Sequence, residues 1–404
     1  MSNKRIVVLV SNPCTEDARV IKMAEAAGQA GYDVHIVATH KLGLRHIEHL
    51  KHYTVHRIAW SPLKLLLEKF PYNLTPPIKQ IKNIVKYFAL KKIPFKKYKL
   101  FSENCHELIG TLEPDLIHAH DLITLPAGYK AAQEFNAKLI YDAHELELHR
   151  NPPLPLKQKL TVSRTEKKYG QKADAVITVG KYVGEEIKKH LKISSINILY
   201  NSPIISKIGH NFREDVIIPN EHKVIIYVGK ITQGRGVQDI LRTLPNLPDV
   251  HFIAVGPSVP KLAASLQQQA IVLGVADRFA LLPPVNHTEV VKYIQGANLG
   301  IISVEPVTLS YKYCMPNKLM EMSFANIPIL SNELTEIKEF LLENKNGNTF
   351  NMYKKQNLPY AIARALEESH NHVMDKDGQN RLYENYSWET QKKKLIEIYE
   401  NLLK

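Results

Sequence analysis

The chain has 404 residues, 44% of them hydrophobic and 23% charged, a globular composition with length enough for two domains. No run approaches the roughly 20 apolar residues of a transmembrane helix, and three widely spaced cysteines, Cys14, Cys105 and Cys314, make neither a disulfide framework nor a zinc site. The net charge of +13 and pI near 9.3 favour an anionic partner: nucleic acid, a phosphorylated ligand or anionic lipid.

Residues 1–5 lead into the apolar run Ile6–Val10. That run is too short for a signal-peptide core and lacks a small-residue cleavage site, so a cytoplasmic protein is expected. Ile6–Val10 reads as a buried strand. Asp17–Ala30 has helical spacing (Ala18, Ile21, Ala24, Ala27), and Val34–Ala38 is the next strand. The first turn, Ser11–Thr15, has no G-x-G-x-x-G pattern, which argues against a dinucleotide site there.

Residues 61–102 differ in composition. Ile78, Ile81, Ile84, Val85 and Phe88 share a helical stripe, and Lys79, Lys82, Lys86, Lys91, Lys92, Lys96, Lys97 and Lys99 interleave with it. No acidic residue stands between Glu68 and Glu103. Such a stretch reads equally as a segment lying on an anionic membrane and as a surface helix with solvated lysines. The lysines concentrate here rather than around a stacking surface, and no nucleic-acid motif is present, so no nucleic-acid partner is expected.

Alternation resumes with strand Asp115–His118, helix Leu122–Phe135, strand Leu139–Tyr141 and a loop Asp142–Glu145. A helix Leu156–Gln171, strand Ala175–Val179, a helix to about His190 and strand Ile196–Tyr200 follow, and the weakly periodic residues 201–222 read as a linker. A second series has strands at Lys223–Val228, Val250–Val255, Phe279–Leu282, Leu299–Ser303 and Ile327–Leu330. The chain closes on a helix Trp388–Leu403 with Leu395, Ile398, Tyr399 and Leu402 on one face. The expected fold class is α/β, with two doubly wound halves.

Two stretches carry chemistry. In Pro316–Leu330, Pro316 suits the first position of a helix, and Asn317 and Glu321, four apart, share a face that Lys318 borders. Asn326 is the expected C-terminal stop. The start of this helix favours an anion, and Glu321 can accept bonds from two adjacent hydroxyls such as a ribose offers. In Val228–Gly236 a strand leaves through a glycine-rich turn bracketed by Lys230 and Arg235, which suits a diphosphate. The plainer readings are an amphipathic helix with a solvated Glu and a turn whose glycines are only conformational. Asp375-Lys376-Asp377 matches a metal-binding D-x-D but sits in a polar stretch away from any strand, so it reads as a solvated loop and no metal is expected.

Taken together, these motifs resemble the retaining GT-B glycosyltransferases of family 4. Gly229-Lys230 with Arg235-Gly236 resembles the family's "GR…KG" turn with the basic residues exchanged. Pro316–Glu321 resembles its "P-N-K-L-x-E" donor helix, Ala254–Pro257 its "GxGP" turn and Tyr200–Pro203 its "NG" element. Ser387–Glu389 resembles the start of its last helix, which crosses back to the first domain.

The resemblance implies two Rossmann-like domains facing a central cleft. Residues 1–202 with 388–404 would be the acceptor side and 203–387 the nucleotide-sugar side. It implies a donor site of Asn201, Gly229, Lys230, Arg235, Gly256, Asn317, Lys318 and Glu321, with Lys230 and Arg235 on the diphosphate and Glu321 on the ribose. It places His118 or His120, and His144, at the sugar, so that His120, His144, Lys230 and Arg235 form the catalytic set, and it pairs Asp17 with Arg19 on the acceptor side. Where the family's pattern has a Glu eight positions before Glu321, this chain has Tyr313, and Glu305 is the candidate substitute.

The implied activity is retaining, metal-independent and cofactor-free hexosyl transfer from a UDP-sugar, with GDP-sugar next. The implied acceptor is a saccharide or a lipid-linked saccharide of bacterial surface polysaccharide or glycolipid synthesis. The enzyme would dock peripherally on the inner face of the cell membrane through residues 78–99. A sugar-nucleotide epimerase or hydrolase of the same fold, and a non-catalytic nucleotide-sugar-binding partner subunit, are the alternatives.

Overall fold

The computed structural model describes residues 4–58, 96–206, 208–354 and 357–404. The stretch 78–95 of the lysine-rich segment lies outside them. Two units form: Met1–Leu199 with Lys392–Lys404, and Tyr200–Gln391.

The first unit is built on β1 (Arg5–Leu9), β2 (Asp33–Thr39), β3 (Ile47–His49), β4 (Thr54–Ile58), β5 (Leu116–His120), β6 (Lys138–Ala143), β7 (Ala175–Thr178) and β8 (Asn197–Ile198). They form one sheet in the order β3-β4-β2-β1-β5-β6-β7-β8, parallel throughout except for the antiparallel pair β3–β4. Ile6, Val7, Val8 and Leu9 are all buried, as a continuous apolar run must be in a parallel sheet covered on both faces. The strand order reverses at β1, which pairs with β2 on one side and β5 on the other. That reversal opens a crevice beyond the carboxyl ends of β1 and β5.

Three expectations are corrected here. Asp142 and Ala143 belong to β6 rather than to a loop, because Asp142 pairs in register with His120 of β5 and Ile177 of β7. That register sets Asp142 beside His120. The last strand is only Asn197–Ile198, and β3 and β4 were not anticipated.

The second unit has β9 (Lys223–Val228), β10 (Val250–Val255), β11 (Phe279–Leu282), β12 (Leu299–Ile302), β13 (Ile329–Asn332) and β14 (Gly347–Phe350). Their order is β11-β10-β9-β12-β13-β14, with every pair parallel. Along β9, Val224, Ile226 and Val228 enter one apolar cluster, and Ile225 and Tyr227 enter another on the opposite face. The order reverses between β9 and β12, so this unit too has a crevice at its strand ends.

Residues read as a linker contribute to this core. Phe212 is fully buried, and the Tyr293 hydroxyl donates to Asp215 at 2.5 Å. Asp375 is not in a solvated loop: it caps the helix Lys376–Tyr386 and accepts from the Gly378 N–H at 2.7 Å. The terminal helix Trp388–Leu403 begins in the second unit and ends in the first, with Leu395 and Tyr399 fully buried. Among the described residues no helix is long and apolar enough to cross a membrane.

Candidate active site

In the second unit three loops meet at the β9–β12 crevice. Gly229 to Gly236 leave β9, Gly256 leaves β10 and Ser303 to Glu305 leave β12. Gly256 has φ +141°, and a Cβ there would stand 2.3 Å from the Gly229 carbonyl oxygen. Gly236 has φ +73°, and a Cβ there would meet the Ser303 side chain at 2.3 Å. Only glycine permits both the left-handed backbone and this approach. The Glu305 amide donates to the Gly234 carbonyl at 3.3 Å, and the Glu305 carboxylate lies against Gly234. Glu305, the candidate substitute for the missing Glu, therefore stands beside this turn.

The helix Asn317–Phe324 starts at the same crevice. Its N-cap is Pro316, with an extended backbone, so the helix begins one position later than the sequence suggests. Asn326 ends it in the left-handed conformation with φ 56°. The Asn326 and Ile327 amides bond back to Ser323 and Met322, the two bonds of a Schellman cap. The Asn201 amide donates to the Asn317 side-chain oxygen at 2.9 Å, which ties residue 201 to the first turn of this helix.

Two cations lie against tyrosine rings here. Lys318 is only 7% exposed, and its Nζ sits 3.6 Å from the Tyr227 ring centroid. Arg235 packs its guanidinium 5.1 Å from the Tyr311 ring centroid, with Nη2 3.4 Å from the Tyr311 hydroxyl. Aromatic faces attract cations and hold them in place. Burial first, and then Arg235, push the Lys318 amine down to about 7. Lys230 is exposed, and its carbonyl accepts from the Tyr227 hydroxyl at 2.9 Å. Glu321 is half-buried on the same helix.

The first unit holds a different cluster. Arg19 chelates Asp142 through Nε and Nη2 at 3.0 Å each and donates Nη1 to the Leu199 carbonyl at 2.9 Å. The Tyr399 hydroxyl lies 2.8 Å from His118 Nδ1, whose Nε2 is 3.5 Å from Asp142. His120 Nδ1 is 3.0 Å from His144 Nε2, and the His118 and His120 rings stack at 4.3 Å. Burial alone would raise the Asp142 carboxyl, but Arg19 and His144, with the bond to His118, hold it well below the usual range. Burial shifts His118 and His120 downward, toward the neutral form, His120 also through its neighbour His118. Asp121, next after β5, has φ 62° and lies 3.5 Å from His144. A left-handed Asp at a strand end marks stored backbone strain.

His118, His120 and Asp142 bring metal-ligand atoms within 4.8 Å of one another. Arg19 already satisfies both oxygens of Asp142, and its charge opposes a second cation at this point.

Of the residues singled out from sequence, Gly229, Arg235, Gly256, Asn317, Lys318 and Asn201 are brought together at the second crevice. His120 and His144 are in contact, but His120 is fully buried and only His144 reaches solvent. Asp17 and Arg19 are not paired with each other. Asp17 caps the helix Ala18–Gln29, accepting from the Val20 amide at 3.2 Å and from Asn12 at 2.7 Å, while Arg19 turns inward to Asp142. Sequence reasoning missed Asp142, Asp121, Tyr227, Tyr311 and Ser303. Tyr227 and Asp142 carried one signal, a polar group near the end of an apolar strand.

Two parallel doubly wound sheets and a returning C-terminal helix are the architecture of a GT-B glycosyltransferase. Solved structures share it across nearly the whole chain. Sucrose-phosphate synthase from Thermosynechococcus elongatus superposes with a TM-score of 0.78 at 16% identity, covering 99% of both chains. Anabaena HepE in complex with UDP-glucose has a TM-score of 0.70 at 14% identity, covering 98% of this chain and 99% of its own.

The chain belongs to the family 4 glycosyltransferases. Residues 18–202 match the model "Glycosyltransferase Family 4", and residues 222–371 match "Glycosyl transferases group 1". An uncharacterized glycosyltransferase of Methanocaldococcus jannaschii is 21% identical over 72% of this chain and 76% of its own. The D-inositol 3-phosphate glycosyltransferase of Mycobacterium ulcerans is 26% identical over 56% of this chain and 54% of its own, so the chain spans about half the length of that relative.

Proposed function

We propose that the chain transfers a hexosyl group from a nucleoside diphosphate sugar bound by the second unit to a saccharide or lipid-linked acceptor bound by the first. Transfer retains the anomeric configuration. The observation that carries this reading is the meeting of Lys318 and Arg235 at a glycine-walled crevice, close enough for Arg235 to oppose the Lys318 charge. Fixed cations and backbone N–H groups stabilise a departing diphosphate, because its negative charge grows in the transition state. At ~4 Å and an effective dielectric near 20, one such charge contributes roughly 4 kcal/mol before desolvation. These groups take the part a metal would otherwise play, so transfer should survive chelation by EDTA. The UDP-glucose complex of HepE supports UDP as the first base to test, with GDP next. Glu321 is assigned to the ribose, and His144, backed by His120, to the transferred sugar.

A thermal-shift screen over nucleotide sugars tests the donor assignment. A ligand at 100 times its Kd adds roughly 2.7 kcal/mol of apparent stability. A shift with UDP- or GDP-sugars, followed by acceptor-dependent transfer whose product keeps the donor's anomeric configuration by NMR, is the expected result. Release of free sugar at the same rate without any acceptor contradicts it.

The enzyme works at the cytoplasmic face of a membrane, as synthesis of surface polysaccharide or glycolipid requires. The helix Leu156–Gly170 supports this beside residues 78–99. It exposes Leu156, Leu160, Lys157, Arg164, Lys167 and Lys168 and buries its single carboxylate, Glu166. Each lysine near an anionic leaflet contributes about 1 kcal/mol. Flotation with anionic vesicles at low salt should carry the protein; failure to float rules this docking out.

A further inference from the structure

We propose that donor binding in this chain takes up a proton above neutral pH: the buried Lys318 amine over the Tyr227 ring gives up its proton there in the free protein and is held as an ammonium when a diphosphate enters, the proton coming from solvent. The inference rests on the reading of this crevice as the diphosphate site and adds to it a pH-dependent step.

The geometry is that of an amine held away from water. Lys318 is the second residue of its helix and is 7% exposed. Its Nζ lies 3.6 Å from the Tyr227 centroid. The Gly229 turn, with φ +110°, lies against it: a Cβ there would be in ordinary contact with Lys318 Cε and Nζ at 3.5 and 3.7 Å.

The groups acting on this amine come from each surrounding element. Arg235 of the turn opposes its charge, while Glu321 of its own helix and Cys314 of the preceding loop favour it. Tyr227 of β9 offers a neutral ring face. Desolvation and Arg235 outweigh the rest and bring the amine down to about 7. A ring face returns less to an ammonium than the loss of water removes. An entering diphosphate reverses the balance, because its charge offsets Arg235 and offers oxygens for all three ammonium N–H groups.

Linkage then sets the pH profile. Affinity is flat below the free-protein value near 7 and falls about tenfold for each pH unit above it. The test is calorimetric titration of UDP, and in parallel GDP, between pH 7 and 9, where the second phosphate ionisation near 6 is complete. HEPES and Tris, whose ionisation enthalpies differ, report the protons exchanged.

Close to one proton taken up per nucleotide at pH 8.5 is expected. Lys318→Met, which keeps a buried chain of similar length, and Lys318→Arg, which is always charged, should each bind without uptake and with a flat profile. Nucleotide binding with pH-independent affinity in the parent overturns the proton step and leaves the donor site standing. A slope that survives in Lys318→Met assigns the proton elsewhere and overturns the proposal. Failure of both nucleotides to bind at any pH overturns the donor reading and this inference with it.

Discussion

The two crevices are built on the same kind of sheet and handle charge in opposite ways. In the first unit, Asp142 is chelated by Arg19, His118 meets Tyr399 and His120 meets His144, so a buried acid and its cation answer each other. In the second unit, Lys318 and Arg235 rest on the faces of Tyr227 and Tyr311 beside a glycine turn. Rings hold the two side chains in position without supplying an acid to pair with them. A cluster compensated internally is a rigid support, whereas Arg235 keeps its charge on its ring and Lys318, on the proposal above, completes its charge when an anion enters. The comparison therefore assigns the first cluster mainly to architecture, with His144 as its outlet, and the second to binding.

The sharpest way to break this comparison is to unbalance the first cluster. Asp142→Ala leaves the Arg19 guanidinium buried without its acid, which should cost about 3–5 kcal/mol of stability. Denaturant unfolding reads it, and the double change Arg19→Met/Asp142→Leu should recover most of the loss. A single-mutant loss no larger than that of a surface change means the pair does not support the first unit. The converse change is Arg235→Ala. With one of the two stacked cations gone, turnover should fall about 10²–10³-fold, while the midpoint of unfolding stays within about 0.5 kcal/mol of the parent. Near-normal transfer by this variant contradicts the phosphate role of the turn.

A smaller effect probes a second closed network in the first unit. Glu166 is 3% exposed and accepts from the Tyr141 hydroxyl at 2.8 Å. Burial raises its carboxyl to about 7, against the bond from Tyr141, and Glu147 adds to the rise. The folded state therefore prefers the protonated acid. Its contribution is complete below the unfolded value near 4.3 and is lost as pH rises through about 7. Glu166→Gln removes the titration, so it should stabilise the protein by up to about 3 kcal/mol at pH 8 and by little at pH 5. Thermal unfolding at the two pH values checks the difference; an equal effect at both contradicts the assignment.

The parts of this structure legible in the sequence are those where one local rule suffices. The strands Lys223–Val228, Val250–Val255 and Phe279–Leu282 agree with the structure residue for residue, because short apolar runs between turn signals are what buried parallel strands look like. The strands Ile47–His49 and Thr54–Ile58 escaped because they are short and rich in His, Glu and Arg. Arg57 is buried there with its guanidinium answered by Glu48 and by the Pro13 and Arg45 carbonyls. The glycine turn and the Asn317 helix were visible as motifs, each spelled within a few consecutive residues. Their partners were not: Tyr227 meets Lys318, Tyr311 meets Arg235 and Asp142 meets Arg19 only after the sheets set their register. The depth of Lys318 was hidden for the same reason, since its position in the helix places it at the border of the polar face and the packing against β9 takes it inside.

The central claim is that the stacked cations of the second unit receive a nucleoside diphosphate. A crystal structure of the chain with UDP tests it most directly. The account predicts phosphate oxygens at ~2.7–2.9 Å from the Arg235 guanidinium and the Lys318 ammonium, with the Gly229–Gly236 turn against the diphosphate and Glu321 at the ribose. A nucleotide seated in the first unit, or one in the second unit whose phosphates touch neither cation, contradicts it.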